Sequence, residues 1–244
     1  MNKPLVIFDL ETTGTDKSKD KIIQIAAIKV VDGEIVDSIN EYVQPIGQYT
    51  ISYGAYFKHK ITPQFLSDKP TLRDLAPKII EFFEGCDILT YNGNRFDIPF
   101  LKQELLRIGY DIDFLSFKCY DAYLEEQRRN NTKLETTYKR YYGKTMDEDG
   151  LTAHDALSDV KATYRIFKAQ QEIQPYEPEK MYDENGVLSE MEFNGKMEPC
   201  FTIGKYRELA ISFVAQIDLG YLAWCVSDKS GFLPSTKEII KKYM

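Results

Sequence analysis

The chain has 244 residues, of which 43% are hydrophobic, and its formal net charge is −7 at pH 7. This acidic balance argues against a protein that grips long duplexes mainly through phosphate charge. The apolar runs are much shorter than the roughly 20 residues that span a bilayer, so we expect no membrane association.

The cysteines lie far apart in the sequence, at Cys86, Cys119, Cys200 and Cys225. They form no Cys-x-x-Cys pair, so the sequence indicates neither a zinc site nor a disulfide framework. The N-terminus lacks the basic start, apolar stretch and cleavage site of a signal peptide. We therefore expect a reduced, cytoplasmic protein.

Three antiparallel strands are predicted to open the fold. The first covers residues 5–10, and Asp32-Gly33 is a strong hairpin signal between the next two apolar runs. Residues 45–70 are rich in proline and glycine and are predicted to be loop with short helical turns. A helix is predicted over residues 71–85, within which Pro77 indicates a kink or a late start.

Strands and helices then alternate along the chain. Residues 86–92 predict a short buried strand with an amphipathic helix after it, and residues 114–120 predict another short strand. Helical segments are predicted over 121–142, with a polar break at Asn130-Asn131, and a long helix over 155–173. This order indicates an α/β fold with a mixed sheet flanked by helices.

The composition shifts after residue 172, where the predicted main domain (1–172) ends. Residues 173–196 carry many charges with little periodicity and are predicted to be a linker. Residues 197–244 are predicted to form a small separate module, which at about 45 residues is near the lower limit for independent folding. Its Tyr221 and Trp224 either stack with nucleic acid or form a small core, and we favour the core for Trp224.

Two acidic residues lie at the end of the first predicted strand. Asp9 and Glu11 are two residues apart, which on a strand places both side chains on one face. Neighbouring carboxylates repel each other unless a cation is present, and oxygen ligands suit Mg²⁺ or Mn²⁺. Taken alone, the pair also fits a strand that simply ends in a polar turn.

Two further segments carry chemically useful side chains. Asp97 is at the head of a helix, where it either joins an acidic site or complements the helix dipole. Asp159 lies within the last long helix and His154 just before it; histidine is a natural general base, but both side chains also fit a solvated surface. Together with Asp9 and Glu11, these residues would suit two metal ions that promote in-line attack on a phosphodiester.

The segments IFDLETTG, YNGNRFDIPFL and HDALSDVKATY resemble the three motifs of the DnaQ-like 3′–5′ exonucleases, in the same order and with similar spacing. His154 is similar to the histidine of the DEDDh subgroup. The resemblance spans residues 4–170 and implies a ribonuclease-H-like fold. It also implies release of 5′-mononucleotides from a nucleic acid with a free 3′ end.

The resemblance implies a role for each catalytic position. Asp9, Glu11, Asp97 and Asp159 correspond to the ligands of two Mg²⁺ ions, for which Mn²⁺ substitutes, with Asp9 as the bridging ligand. His154 corresponds to the base that deprotonates the attacking water.

The resemblance also implies substrate-binding positions, which are Thr12, Thr13, His59, Asn92 and Phe96. His59 belongs to a segment in which Lys60 stands where the family usually has glycine. The C-terminal module resembles that of exodeoxyribonuclease X-type proteins, and it is expected either to bind a protein partner or nucleic acid or to self-associate. A basic cluster in residues 125–144 is either a strand-guiding surface or a solvated helix face.

The sequence therefore predicts a metal-dependent 3′–5′ exonuclease that acts on single-stranded DNA or frayed 3′ ends, in DNA repair or replication. An exoribonuclease of the same superfamily is an alternative, because nothing in these motifs reads a 2′-OH. A non-catalytic nucleic-acid-binding or recruitment factor is an alternative of another class.

Overall fold

The computed structural model describes residues 3–112, 117–127, 133–173, 175, 188–193, 196–202, 205–207 and 209–244. Within them, one mixed sheet contains the strands β1 (Leu5–Thr12), β2 (Ile22–Val31), β3 (Glu34–Tyr42), β4 (Asp87–Thr90) and β5 (Cys119–Asp121). The strand order is β3-β2-β1-β4-β5. The first three strands pair antiparallel, whereas β4 and β5 run parallel to β1, which confirms the predicted mixed sheet.

β1 is buried on both faces because its residues alternate between two cores. Val6, Phe8 and Leu10 belong to one core, and Leu5 and Ile7 belong to the other. The strand was predicted to end at residue 10, but it continues to Thr12 because Glu11 and Thr12 still pair with β2. β4 and β5 end at the same edge of the sheet as β1.

The helices of this part of the chain are α1 (Tyr53–His59), α2 (Pro63–Leu66), α3 (Leu72–Phe83), α4 (Asp97–Arg107), α5 (Ala122–Gln127), α6 (Leu134–Tyr142) and α7 (Ala156–Ile173). α3 and α4 contribute to the Phe8 core, and α6 and α7 contribute to the Ile7 core. The sheet is therefore covered on both faces, as predicted. Residues 114–116 and Asn130-Asn131, on which two predictions fell, lie outside the described residues.

α3 begins at a capping box. Asp74 N–H donates to Thr71 Oγ1 at 3.4 Å, and Thr71 N–H donates to Asp74 Oδ2 at 2.9 Å. The helix therefore starts at Leu72 with Pro77 inside it, so a late start at this proline is wrong. The helix ends at Phe83, two residues before the predicted end, and is followed by Gly85, whose φ is +70°.

The C-terminal part of the chain has its own core. A hairpin of β6 (Leu188–Phe193) and β7 (Lys196–Phe201) packs with α8 (Ile211–Ile217), α9 (Leu219–Val226) and α10 (Pro234–Lys241). Tyr221 packs against this core, whereas Trp224 lies at its edge, 45% exposed, in ring contact with Tyr221 and Phe232. Trp224 therefore borders the C-terminal core without being buried in it, and the prediction that it is a core residue is confirmed only in part.

The linker predicted over residues 173–196 is wrong at its C-terminal end, because residues 188–193 form β6. Leu188 is buried against the C-terminal core, opposite Phe201 of β7. Residue 173 is the last of α7, and residues 174 and 176–187 lie outside the described residues.

All four cysteines are buried, and in the described part of the chain no disulfide joins them. In the described part of the chain, the helices are too short or too polar to cross a membrane.

Candidate active site

The acidic end of β1 lies on the face of the sheet that α7 covers. Asp9 and Glu11 continue the series of Leu5 and Ile7 along that face, as the two-residue spacing predicted. Both side chains are partly exposed, because the strand ends here and a cavity opens beside it.

Asp97 begins α4 and lies against the end of β1. Leu10 N–H donates to Asp97 Oδ1 at 3.1 Å, and the Asp97 side chain is buried. This bond ties the first turn of α4 to the backbone between Asp9 and Glu11. The alternative in which Asp97 only complements the helix dipole does not account for it.

His154 precedes α7 in a left-handed backbone conformation, with φ of +62°. Its N–H donates to Asp159 Oδ2 at 3.2 Å, and Ser158 N–H donates to Asp155 Oδ2 at 2.9 Å, which caps the helix. The His154 side chain is 47% exposed, and its Nε2 lies 3.7 Å from Glu135 Oε1 of α6. The imidazole is therefore accessible and lies next to an acid of a different helix.

The carboxylates repel each other in a poorly solvated setting. Burial raises the pKa of Asp9 well above its ordinary value, and the nearby charges of Asp97, Asp159 and Glu11 raise it further. Burial also raises the pKa of Glu11 to about 8 and the pKa of Asp159 to about 7. Burial raises the pKa of Asp97 as well, against the effect of its backbone hydrogen bond. A bound cation would relieve this repulsion.

A cavity of about 590 Å³ opens at this edge of the sheet, a size typical of small-ligand sites. The predicted site residues that line it are Asp9, Glu11, Thr12, Phe96, His154 and Asp159. Helix α1 and its N-cap contribute Ser52, Gly54, Ala55 and Lys58. A second cavity of about 380 Å³ shares His154, Asp159 and Lys58 with the first and adds Lys133, Leu134 and Glu135.

Three predicted substrate-contact residues do not line either cavity in this conformation. Thr13 is 1% exposed, and its hydroxyl donates to a carboxylate within the turn after β1. His59 ends α1, and its Nδ1 accepts the N–H of Ile61 at 2.9 Å. Asn92 has a left-handed backbone with φ of +66°, and its N–H donates to Asp121. These residues shape the loops around the site.

The turn after β1 depends on a glycine. A Cβ at Gly14 would lie 2.4 Å from Asp20 Oδ2, so any side chain there would displace the carboxylate that accepts the Thr13 hydroxyl. The Thr12 hydroxyl donates to the Gly14 carbonyl at 2.7 Å. The turn therefore holds Thr12 at the cavity wall.

The sequence reasoning missed Asp121, which ends β5 beside β4. Its buried carboxylate accepts N–H bonds from Asn92 at 2.7 Å, Asn94 at 3.2 Å and Tyr123 at 3.1 Å, and so holds the loop that leads to Asp97. An acid at the end of a strand parallel to β1 was the available signal, because parallel strands end at one edge.

Two lysines of the cavity walls were also missed as site residues. Lys58 comes from α1 and lowers the pKa of Glu11 against the larger effect of burial. Lys133, just before α6, had been placed only in the general basic cluster. No local pattern relates either lysine to the acids.

The donor set fits a divalent cation, because the candidate ligands are all carboxylate oxygens. Asp159 Oδ1 is buried and has no hydrogen-bond partner in the described part of the chain, which leaves it available to a ligand. Among the described residues, no three potential ligands already gather around one point. Asp9, Glu11 and Asp159 border the same cavity, where a bound cation would draw their carboxylates together.

Residues 6–167 match the RNase T exonuclease family. Exodeoxyribonuclease 10 of Escherichia coli strain K12 is 28% identical over 243 residues, which cover 98% of each chain. A PolC-type DNA polymerase III of Caldanaerobacter subterraneus subsp. tengcongensis is 30% identical over 200 residues, which cover 81% of this chain. The matched region is 14% of that polymerase, so the chain spans about a seventh of its length.

A solved structure gives the same result for the fold. The zinc-bound form of E. coli exonuclease I with single-stranded DNA matches with a TM-score of 0.60 and 25% identity. The match covers 71% of this chain and 42% of exonuclease I. The chain belongs to the RNase T exonuclease family, which confirms the DnaQ-like resemblance of its three motifs and the ribonuclease-H-like sheet.

Proposed function

We propose that this chain is a metal-dependent 3′–5′ exonuclease that hydrolyses phosphodiester bonds at the 3′ end of DNA, on single strands or frayed ends. Its products are 5′-mononucleotides. The observation that carries the proposal is that Asp9, Glu11, Asp159 and His154 line one open cavity at an edge of the sheet. Asp97 is tied to the end of β1 beside this cavity by its hydrogen bond from Leu10 N–H. A relative named as an exodeoxyribonuclease, and a related exonuclease solved with single-stranded DNA, support DNA as the substrate.

Asp9, Glu11, Asp97 and Asp159 would hold two Mg²⁺ ions, for which Mn²⁺ substitutes. Ions bound there supply positive charge that lowers the pKa of the attacking water and stabilises the leaving 3′ oxygen. An all-oxygen donor set favours Mg²⁺ or Mn²⁺, because zinc prefers cysteine and histidine ligands.

His154 would accept the proton of the attacking water. Its half-exposed imidazole lies where the two cavities join, so water has access to it. Glu135 Oε1, 3.7 Å from Nε2, would stabilise the imidazolium that forms. The bond from His154 N–H to Asp159 fixes the base relative to an acid of the site.

The terminal nucleotide would contact Thr12 and Phe96 on the cavity wall. Thr13, His59 and Asn92 remain proposed substrate-binding positions, and their contacts support a role in which they position loops around the nucleotide. Lys58 and Lys133 provide positive charge near the path of the phosphates.

An exoribonuclease remains the alternative within the enzymes, and a non-catalytic binding or recruitment factor remains the alternative outside them. The accessible imidazole and the unpartnered carboxylate oxygen of Asp159 favour an enzyme over a binding factor. We place the reaction in the cytoplasm, in DNA repair or replication, in line with the polymerase relatives.

The C-terminal module is proposed to bind a protein partner or a second copy. The Arg95 guanidinium, two residues before Asp97, donates to the backbone carbonyl of Thr202 in this module. This hydrogen bond supports a module that contacts the loop preceding Asp97.

Degradation of labelled single- and double-stranded DNA and RNA, each with Mg²⁺, Mn²⁺ or EDTA, tests the proposal. We expect single-stranded DNA to be degraded in Mg²⁺ and in Mn²⁺, and to be intact in EDTA. Faster degradation of RNA would establish the exoribonuclease, and intact nucleic acid under every condition would establish the binding factor.

A further inference from the structure

Helix α1 is exposed on most of its surface, although it forms one wall of the candidate active site. It contains no buried residue. Tyr53 is 77% exposed, Phe57 is 56% exposed, and their ring centroids are 4.9 Å apart. A surface helix usually keeps its aromatic side chains toward the core. The exposure of these two rings therefore indicates that they bind another molecule and do not serve core packing.

The aromatic side of α1 adjoins the side that lines the cavity. Gly54 and Lys58 belong to the cavity wall. At about 100° per residue, Phe57 lies about 60° around the helix from Gly54 and about 100° from Lys58. A strand that leaves the cavity across α1 would therefore meet Tyr53 and Phe57 next.

Lys60, which follows the helix, combines a charge with an unusual backbone. Its φ is +59° and its ψ is 12°, a left-handed conformation that glycine adopts more easily than lysine. Its Nζ lies 4.1 Å from the ring centroid of Phe57 and 5.7 Å from that of Tyr56. Within the described residues it forms no ion pair with a carboxylate, so its charge is available to an incoming anion.

We propose that Tyr53, Phe57 and Lys60 form a strand-binding surface for the nucleotides that adjoin the 3′-terminal nucleotide of a single-stranded substrate. The rings offer faces on which bases stack, and the ammonium group offers charge to the phosphates between them. The occupant is a nucleic-acid strand because the surface continues the wall of the proposed active site and is basic. The inference rests on the proposed function, and it assigns the residues that select single strands.

The test is the affinity for a fluorescent oligothymidylate, measured by anisotropy in EDTA, which stops metal-dependent hydrolysis. We expect Tyr53→Ala and Phe57→Ala each to raise Kd by about tenfold. Lys60→Gly should raise Kd several-fold and lower the slope of log Kd against log salt by about 0.7, as expected for one lost phosphate contact. Lys60→Arg keeps the positive charge, so its Kd and its salt slope should equal those of the wild type.

Three controls separate binding from folding. Lys60→Gly should leave Tm unchanged or raise it, because glycine relieves the left-handed backbone. Asp32→Gly makes the same backbone exchange at φ of +50° in the distant hairpin turn, and it should leave Kd unchanged. Lys168→Gln removes a charge from a lysine over a tyrosine ring, nine residues along α7 from Asp159, and it should also leave Kd unchanged.

The inference is overturned if the Tyr53, Phe57 and Lys60 variants keep the wild-type Kd, or if the wild type does not bind the strand. It is also overturned if the aromatic variants only reduce self-association in sedimentation velocity, since a second copy would then be the occupant. Failure of the proposed function would look different: the wild type would bind the strand in EDTA and leave it intact in Mg²⁺.

Discussion

The two ends of the central sheet share β1 and α7 but differ in the charge they carry. At one end, Asp9, Glu11 and Asp159 border a cavity of about 590 Å³. At the other end, a cavity of about 340 Å³ is lined by apolar side chains such as Leu5 and Phe167 and by charged residues of both signs, which are Lys3, Asp32, Lys168 and Glu172. At the first end, burial and then the repulsion of neighbouring carboxylates raise the pKa of Asp9.

The direction of the chain explains this difference. β1, β4 and β5 are parallel and end at the first edge, where α4 and α7 begin. Helix N-termini favour negative charge, and Asp97 and Asp159 both lie in first turns. Acids from separate segments can therefore meet there, whereas the opposite edge receives the hairpin turn and the end of α7.

Removing a carboxylate at each end tests this comparison with the largest expected effect. Asp9→Asn and Asp159→Asn should each lower kcat/KM on single-stranded DNA by about a thousandfold, because each removes a proposed metal ligand. Asp32→Asn, at the opposite end, should leave kcat/KM unchanged. Circular dichroism checks that each variant is folded. Near-wild-type activity of either active-site variant would contradict the assignment.

The two histidines of the chain provide the next test. His154→Gln should lower kcat at neutral pH by about a hundredfold, because it removes the general base. His59→Gln should change kcat far less, because His59 is proposed to position the nucleotide and not to accept the proton. Calorimetric titration with Mn²⁺ should give wild-type affinity for both variants. A loss of Mn²⁺ binding in His154→Gln would make His154 a metal ligand instead.

The acidic end should also destabilise the metal-free protein as the pH rises. Because burial raises the pKa of Glu11 to about 8 and that of Asp159 to about 7, the folded protein retains protons that the unfolded chain releases near pH 4. The stability from these groups is full below about pH 4 and is lost as the pH rises through about 7 to 8.

Differential scanning calorimetry in EDTA at several pH values measures this loss. From pH 5 to 8, Tm of the wild type should fall by a few degrees more than Tm of Asp9→Asn, in which one repelling charge is absent. Mg²⁺ should restore the wild type at pH 8, and Asp32→Asn should behave as the wild type does. Identical pH profiles for the wild type and Asp9→Asn would exclude the proposed repulsion.

Asp121→Asn should have the smallest effect on activity. The single carbonyl oxygen of asparagine cannot accept all the N–H bonds from Asn92, Asn94 and Tyr123, so a buried donor is left unpaired, at a cost of about 1–3 kcal/mol. We expect a lower Tm and a kcat within tenfold of the wild type. A loss as large as that of Asp9→Asn would make Asp121 part of the catalytic site.

The sequence was sufficient for the mixed sheet and for the shared face of Asp9 and Glu11, because both follow from local patterns. Alternation along β1 placed Asp9 and Glu11 on one face, and the Asp32-Gly33 turn set the first hairpin. The sequence was less informative for Thr13. Its position in the motif does not reveal that its hydroxyl already donates to the Asp20 carboxylate within the turn.

Lys58 and Lys133 reach the site only through tertiary packing, so no spacing in the sequence relates them to the acids. β6 was missed for a similar reason. Its partner is the adjacent β7, and burial of Leu188 depends on helices that follow later in the chain.

The most direct test of the acidic site is product analysis with a 5′-labelled single-stranded DNA. In Mg²⁺, the wild type should shorten the strand progressively from its 3′ end and release 5′-mononucleotides, whereas EDTA or Asp9→Asn should leave the strand intact. Equal degradation by Asp9→Asn, or degradation that continues in EDTA, would contradict a metal site built on the end of β1.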